Sequence, residues 1–143
     1  MSGLLDKLYE NQARTDQESE DPRLQGRTYT IPFEDVWQAS MRVGAGGLLG
    51  WSIGRADDQR GVIEALAKTP IVGSETDIHI QVGLDRLGQT RVDVTAASRK
   101  EKGDWGRSKR LIRRFIRALD RDLSVQPEQV LDPTQHPVYR QAT

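Results

Sequence analysis

Five arginines, Arg107, Arg110, Arg114, Arg117 and Arg121, recur at steps of three and four residues in the stretch DWGRSKRLIRRFIRALDRDL. At 3.6 residues per turn this spacing lines them up as one stripe on a helix, with Arg113 at its flank. Between Arg99 and Arg121, ten basic residues stand against Glu101, Asp104 and Asp120, in a chain whose formal net charge is zero. A guanidinium is planar, permanently charged and able to donate two parallel hydrogen bonds, so the stripe is suited to carboxylates or phosphates. The partner classes it suggests are an acidic protein surface first, then nucleic acid or an anionic lipid surface. The zero net charge and the lack of aromatic residues interleaved with the arginines count against nucleic acid. The same spacing also describes the wet side of an amphipathic helix, its arginine stems shielding the apolar seam while Asp120 and a nearby acidic segment answer part of the charge.

A second group centres on His79. The run ETDIHIQVGLD alternates, with Ile78, Ile80, Val82 and Leu84 on one side and Asp77, His79, Gln81 and Asp85 on the other. In TRVDVTAASR, Val92, Val94 and Ala96 share the apolar side, and Arg91, Asp93 and Thr95 the polar one. If the two runs are neighbouring strands, His79 can meet Asp77 or Asp93 and act as an acid or base oriented by a carboxylate. No nucleophile or metal set accompanies the pair, so an ordinary polar sheet face is the plainer reading, with a ligand groove as the alternative. The third group, Ser98, Arg99, Asp104 and Gly106, lies where the last strand turns into the arginine-rich helix. There Asp104 can cap the helix by accepting the main-chain N–H of Arg107.

Composition narrows the field. There is no cysteine, hence no disulfide framework, thiolate site or cysteine nucleophile, and only two histidines, His79 and His136, so neither metal nor cofactor is expected. Nothing in the chain has the apolar length of a membrane span or the pattern of a signal peptide, which leads to the expectation of a soluble cytoplasmic protein.

The elements that must hold these groups follow from the periodicities. Leu4, Leu5, Leu8 and Tyr9 predict a short helix over residues 3–14, and TDQESEDP, Thr15 to Pro22, reads as an acidic linker. RTYTI is a strand, and Pro32 opens a helix in which Phe33, Val36, Trp37, Ser40 and Met41 share a face and Glu34 and Asp35 occupy the first turn. Four glycines in GAGGLLG end that helix. A phosphate loop would need a strand before and a helix after, and here the order is reversed. WSIGRA and VIEALAK form a hairpin about DDQRG, with its register open because Val62, Glu64 and Leu66 on one face and Ile63, Ala65 and Ala67 on the other are both partly apolar.

In the second helix Trp105, Ser108, Ile112, Phe115, Leu119 and Leu123 face the sheet. The tail from Gln126 carries Pro127, Pro133 and Pro137 and is expected to be extended. The order β-α-β-β-β-β-α gives an α+β two-layer sandwich, a mostly antiparallel sheet with two helices on one face. The expected organisation is a helix and linker over 1–25, one domain over 26–124, and a proline-rich tail over 125–143.

The run GWSIGRADDQRGVIEALAKT, then DIHIQV, then TRVDVTAASR with GDWG and RLIRRFIRAL resembles the bacterial and plastid family known as domain of unknown function 1499, over about Arg27 to Leu123. Ser98, Arg99, Asp104 and Gly106 carry its most specific element, and Gly50 with Trp51 also match. Glu101, Ser108 and Leu111 depart from residues the family tends to have there, glycine, asparagine and arginine. The resemblance implies the fold and supplies no activity. The functional expectation is a non-enzymatic accessory or binding module engaging a larger partner through its arginine helix and its termini. The alternative is a small-ligand binder or enzyme at the open sheet face around His79.

Overall fold

Strict alternation builds the centre of the sheet. In β5, Glu75–Leu84, the side chains of Thr76, Ile78, Ile80 and Val82 are buried while Asp77, His79 and Gln81 are exposed. The structure, a computed structural model, describes residues 12–16, 24–69, 73–99 and 105–131. On one side of β5 lies β6, Thr90–Ser98, in the register Ile78↔Ala96, Ile80↔Val94 and Val82↔Val92. On the other lies β4, Val62–Lys68, in the register Ile63↔Ile80 and Ala65↔Ile78. Ile63, Ala65 and Ala67 are buried, so the face that was ambiguous in the sequence is fixed by what β5 already turns inward. The edge strand β3, Trp51–Asp57, pairs with β4 and carries a bulge between Ile53 and Arg55, which kinks an otherwise open edge.

Across β6 the sheet continues with β2, Arg27–Tyr29, and then β7, Val130–Leu131, giving the order β3-β4-β5-β6-β2-β7 with every pairing antiparallel. A further strand, β1, Gln12–Arg14, pairs with β6 beyond the end of β2 and completes seven strands. Two expectations are corrected here. Gln12–Arg14 is strand, not helix: Ala13 is 4% exposed and sits opposite Ala96, where the β6 edge offers main-chain groups that a helix could not satisfy. The rest of the expected N-terminal helix, residues 3–11, lies outside the described residues, as do residues 17–22 of the acidic linker. At the other end, Pro127–Gln129 make a single tight turn before β7 joins β2, so strands at 12–14 and 130–131 extend the sheet beyond 26–124.

Leu84 is also corrected. It follows the inward alternation of Val82 yet is 62% exposed, at the last position of β5 where the chain enters the turn to β6. Arg91 is the opposite case. It points to the polar face, as its position dictates, but is 3% exposed because residues 25–28 cover it.

Both helices lie on the apolar face. In α1, Phe33–Arg42, the Pro32 carbonyl accepts the N–H groups of Asp35 and Val36, and Glu34 and Asp35 sit at the positive end of the helix dipole. Val36, Trp37, Ala39 and Ser40 are buried, and α1 ends in a wide turn over Val43–Gly47. Gly50 then turns the chain into β3 with φ 86°, and a Cβ there would collide with the Lys68 carbonyl oxygen. The Trp51 ring stacks on Phe115 at 5.8 Å, tying the start of the edge strand to the second helix.

That helix, α2, Trp105–Leu123, buries Ser108, Leu111, Ile112, Phe115, Ile116 and Leu119. Near its end Asp120 accepts hydrogen bonds from the Tyr29 hydroxyl (2.7 Å) and from the Arg27 guanidinium, so β2 is bolted to α2 by charge as well as by apolar contact. Asp122 accepts Nη2 (2.6 Å) and Nε (3.1 Å) of Arg42, joining the two helices.

Burial, and then the Asp120 carboxylate, push the Tyr29 hydroxyl well above its ordinary pKa of 10.0. In the unfolded chain Tyr29 ionises near 10, while in the fold it keeps its proton. Its contribution is therefore intact below pH 10 and is lost as pH rises above that value, at about 1.4 kcal/mol per pH unit. Urea denaturation between pH 9 and 11 should show stability falling more steeply for the native chain than for Tyr29→Phe. Equal slopes would mean that Tyr29 ionises as freely folded as unfolded.

Candidate functional site

The rotation of α2 about its axis decides which charges meet solvent. Its apolar seam faces the sheet, Asp120 reaches β2, and Arg110, Arg114, Arg117 and Arg121 are left on the exposed side. Residues 110 to 121 advance about 16 Å along the axis, so the four guanidinium groups form a straight ridge. Arg107, at the start of the helix, is half-buried, as is Arg113 at the margin. Thus four of the five arginines of the expected stripe stand in the open.

The expectation that Asp120 would answer this charge is corrected, because its carboxylate is taken by Arg27 and Tyr29. The other acid of the helix, Asp122, is held by Arg42. Hence both acids within α2 are engaged by other elements. Among the described residues none offers an ion pair to Arg110, Arg114, Arg117 or Arg121. Among the described residues no exposed large hydrophobic side chain lies on the ridge, since Leu49, Leu84 and Leu87 belong to turns and a strand end.

The polar sheet face carries the second set. Register places Arg55, Glu64, His79, Thr95 and Arg14 in one row across five strands. His79 Nδ1 lies 4.0 Å from Glu64 Oε1, and both side chains are exposed. A hollow of about 380 Å³ runs between Glu64, Asp77, His79 and Thr95 over Ala97, and another of about 250 Å³ lies toward Arg55 and Arg60. The carboxylates expected to orient His79 do not do so. Asp77 accepts Nε (3.1 Å) and Nη2 (2.9 Å) of Arg99, and Asp93 faces Arg91 and Thr15. The carboxylate that stands beside His79 is Glu64, opposite it in the β4–β5 register, on a strand whose two faces look alike in sequence.

At the strand-to-helix junction Ser98 is buried opposite Thr76, and Arg99 closes over Asp77 on the neighbouring strand, with Glu75 at 3.6 Å. Gly106 lies in the first turn of α2 in open space, so no side chain is excluded there on steric grounds. Asp104 and its expected cap fall outside the described residues. The groups thus separate into a ridge on the helix layer and a row on the opposite, polar side of the sheet, and nothing described brings the arginines to His79.

Architecture and site together define a small α+β protein with an antiparallel sheet, a helix layer on one face and an arginine ridge on that layer. The family model described as "Protein of unknown function (DUF1499)" matches residues 8–119, well over half of the chain, and the chain belongs to that family. Among curated proteins none matches the sequence. No described helix is long and apolar enough to cross a membrane.

Arg110, Arg114, Arg117 and Arg121 are neighbours at three- and four-residue steps, and like charges at such steps cost about 0.2–0.5 kcal/mol per pair. Arg114→Glu turns two repulsive pairs into attractive ones, so the variant should gain roughly 0.8–2 kcal/mol in urea denaturation at low salt, the gain shrinking as salt rises. A loss of stability would show that Arg114 supports the fold.

Proposed function

We propose that the protein is a non-enzymatic accessory module that binds an acidic surface of a larger protein through the arginine ridge of α2, with its termini extending the contact. The observation that carries this reading is the sorting of charge on one helix. Asp120 and Asp122 are spent on Arg27 and Arg42, and four arginines remain in a line without an acid to pair with among the described residues. A face that only needed to be wet could intersperse acids at the neighbouring turns and gain stability, whereas uniform charge favours rapid encounter with an opposite surface.

Protein is favoured over the other anionic partners for two reasons. A lipid surface is held durably when apolar side chains accompany the charge, and among the described residues the ridge has none exposed. Binding to single-stranded nucleic acid relies on aromatic stacking beside the basic groups, which is also missing among the described ridge residues. Paired carboxylates on a helix or strand match the forked donors of arginine and are discriminated from other anions by geometry as well as charge.

Affinity capture from the host cells, with the native chain beside Arg110→Glu/Arg114→Glu/Arg117→Glu, tests the proposal once circular dichroism has shown that both are folded. The native bait should retain a protein that the triple variant loses, and the interaction should weaken as salt rises. The same proteins on both baits would make the ridge a solvated face. The hollow about His79 and Glu64, where a small ligand is the second reading, would then become the site to examine.

A further inference from the structure

Gly54 is one residue more than the pairing of β3 with β4 can match, and it decides where Arg55 points. Ile53 stands opposite the buried Ala65 and lies against Gly44 at the end of α1, on the helix side of the sheet. Strict alternation would send Arg55 to that same side. The bulge instead sets Arg55 opposite the outward-facing Glu64, so its guanidinium is delivered to the polar face. Bulges are frequent beside binding and active sites because they re-aim one side chain while the sheet continues.

On that face Arg55 has no hydrogen bond or ion pair to any of the described residues. Glu64, its cross-strand neighbour, forms no ion pair with it and stands 4.0 Å from His79 Nδ1 instead. The acids around them are engaged elsewhere. Asp57 faces Arg60 at 3.7 Å and accepts the Gln59 and Arg60 N–H groups, and Asp77 accepts Arg99. A cation and an anion are therefore held side by side without answering each other. They sit where two hollows meet: the one of about 250 Å³ is lined by Arg55, Glu64 and His79, and the one of about 380 Å³ continues from Glu64 and His79 over Thr95 and Ala97.

The geometry points to a binding site for a small zwitterion, a free α-amino acid with an uncharged side chain. Its carboxylate accepts the forked donors of Arg55, its ammonium donates to Glu64, and its side chain extends over Thr95 and Ala97. Opposite residues on paired strands are about 4.5–5.5 Å apart at Cα, a spacing that suits the two charged ends of one such molecule. A plain anion on Arg55 would meet Glu64 beside it, and a plain cation on Glu64 would meet Arg55, so neither is held as well as a ligand carrying both charges. Because both groups are open to water, the affinity is in the millimolar range. The site lies on the face opposite the arginine ridge and stands or falls apart from it.

NMR titration of the isotope-labelled chain with L-alanine, L-serine, L-threonine, L-valine and L-glutamine tests the site. At least one of them should give saturable shifts at the amides of Arg55, Glu64, His79 and Thr95. For that amino acid, the N-acetylated form, which lacks the ammonium, and the carboxamide, which lacks the carboxylate, should each bind the native chain at least about tenfold more weakly. Arg55→Gln and Glu64→Gln should each weaken binding of the free amino acid by a similar factor while the rest of the spectrum stays as in the native chain. No saturable shift with any of the five, or saturable shifts confined to other residues, would overturn the site. Equal binding of the blocked forms, or of either variant, would overturn it too. The blocked ligands probe the same two contacts on the native chain, so the outcome does not depend on a variant's folding.

Discussion

A carboxylate on the inner side of a basic helix organises much of this protein. Asp120 accepts the hydroxyl of the fully buried Tyr29 and the guanidinium of Arg27, so the end of α2 is fixed to β2. Because the bond comes from a defined direction on the helix, it sets the rotation of α2 together with the apolar seam of Ile112, Phe115 and Leu119. The arginines at 110, 114, 117 and 121 are consequently turned outward. A tyrosine, an arginine and an aspartate brought together under partial burial are costly to break singly, since each would leave a partner unsatisfied in a poorly solvated place.

Charge elsewhere follows the same economy. Asp122 answers Arg42 between the helices, Asp77 answers Arg99 at the strand-to-helix junction, and Asp93 answers Arg91 beneath residues 25–28. Each pair joins two segments or covers a break in the sheet. The zero net charge of the chain therefore coexists with a local excess, because acids are committed to positions where they link elements and the exposed run of α2 is left with arginine alone.

Legibility in the sequence tracked how local the cause was. The central strands declared themselves because Ile78, Ile80 and Val82 alternate against Asp77, His79 and Gln81, and α1 because Pro32, Glu34 and Asp35 mark its start. Four of the five stripe arginines of α2 could also be read, since helical spacing sets them opposite the apolar seam, whereas Arg107 is half-buried. What could not be read depended on pairing between distant segments. Gln12–Arg14 lies in a region whose leucines suggest helix, yet the β6 edge captures it as a strand. Arg91 alternates to the polar face as expected, but its burial comes from Gln25 and Thr28, more than sixty residues earlier. Glu64 stands beside His79 only through the pairing of β4 with β5, on a strand both of whose faces are partly apolar.

The arginine ridge as a recognition surface is tested most directly by placing a photo-crosslinking residue at position 114 in the host cells and, separately, at Gln59 in the exposed β3–β4 turn. Illumination should yield a discrete adduct with one acidic protein from position 114 and not from position 59. The absence of any adduct at 114, or the same adducts from both positions, would contradict a dedicated surface and leave the arginines as the solvated side of a helix.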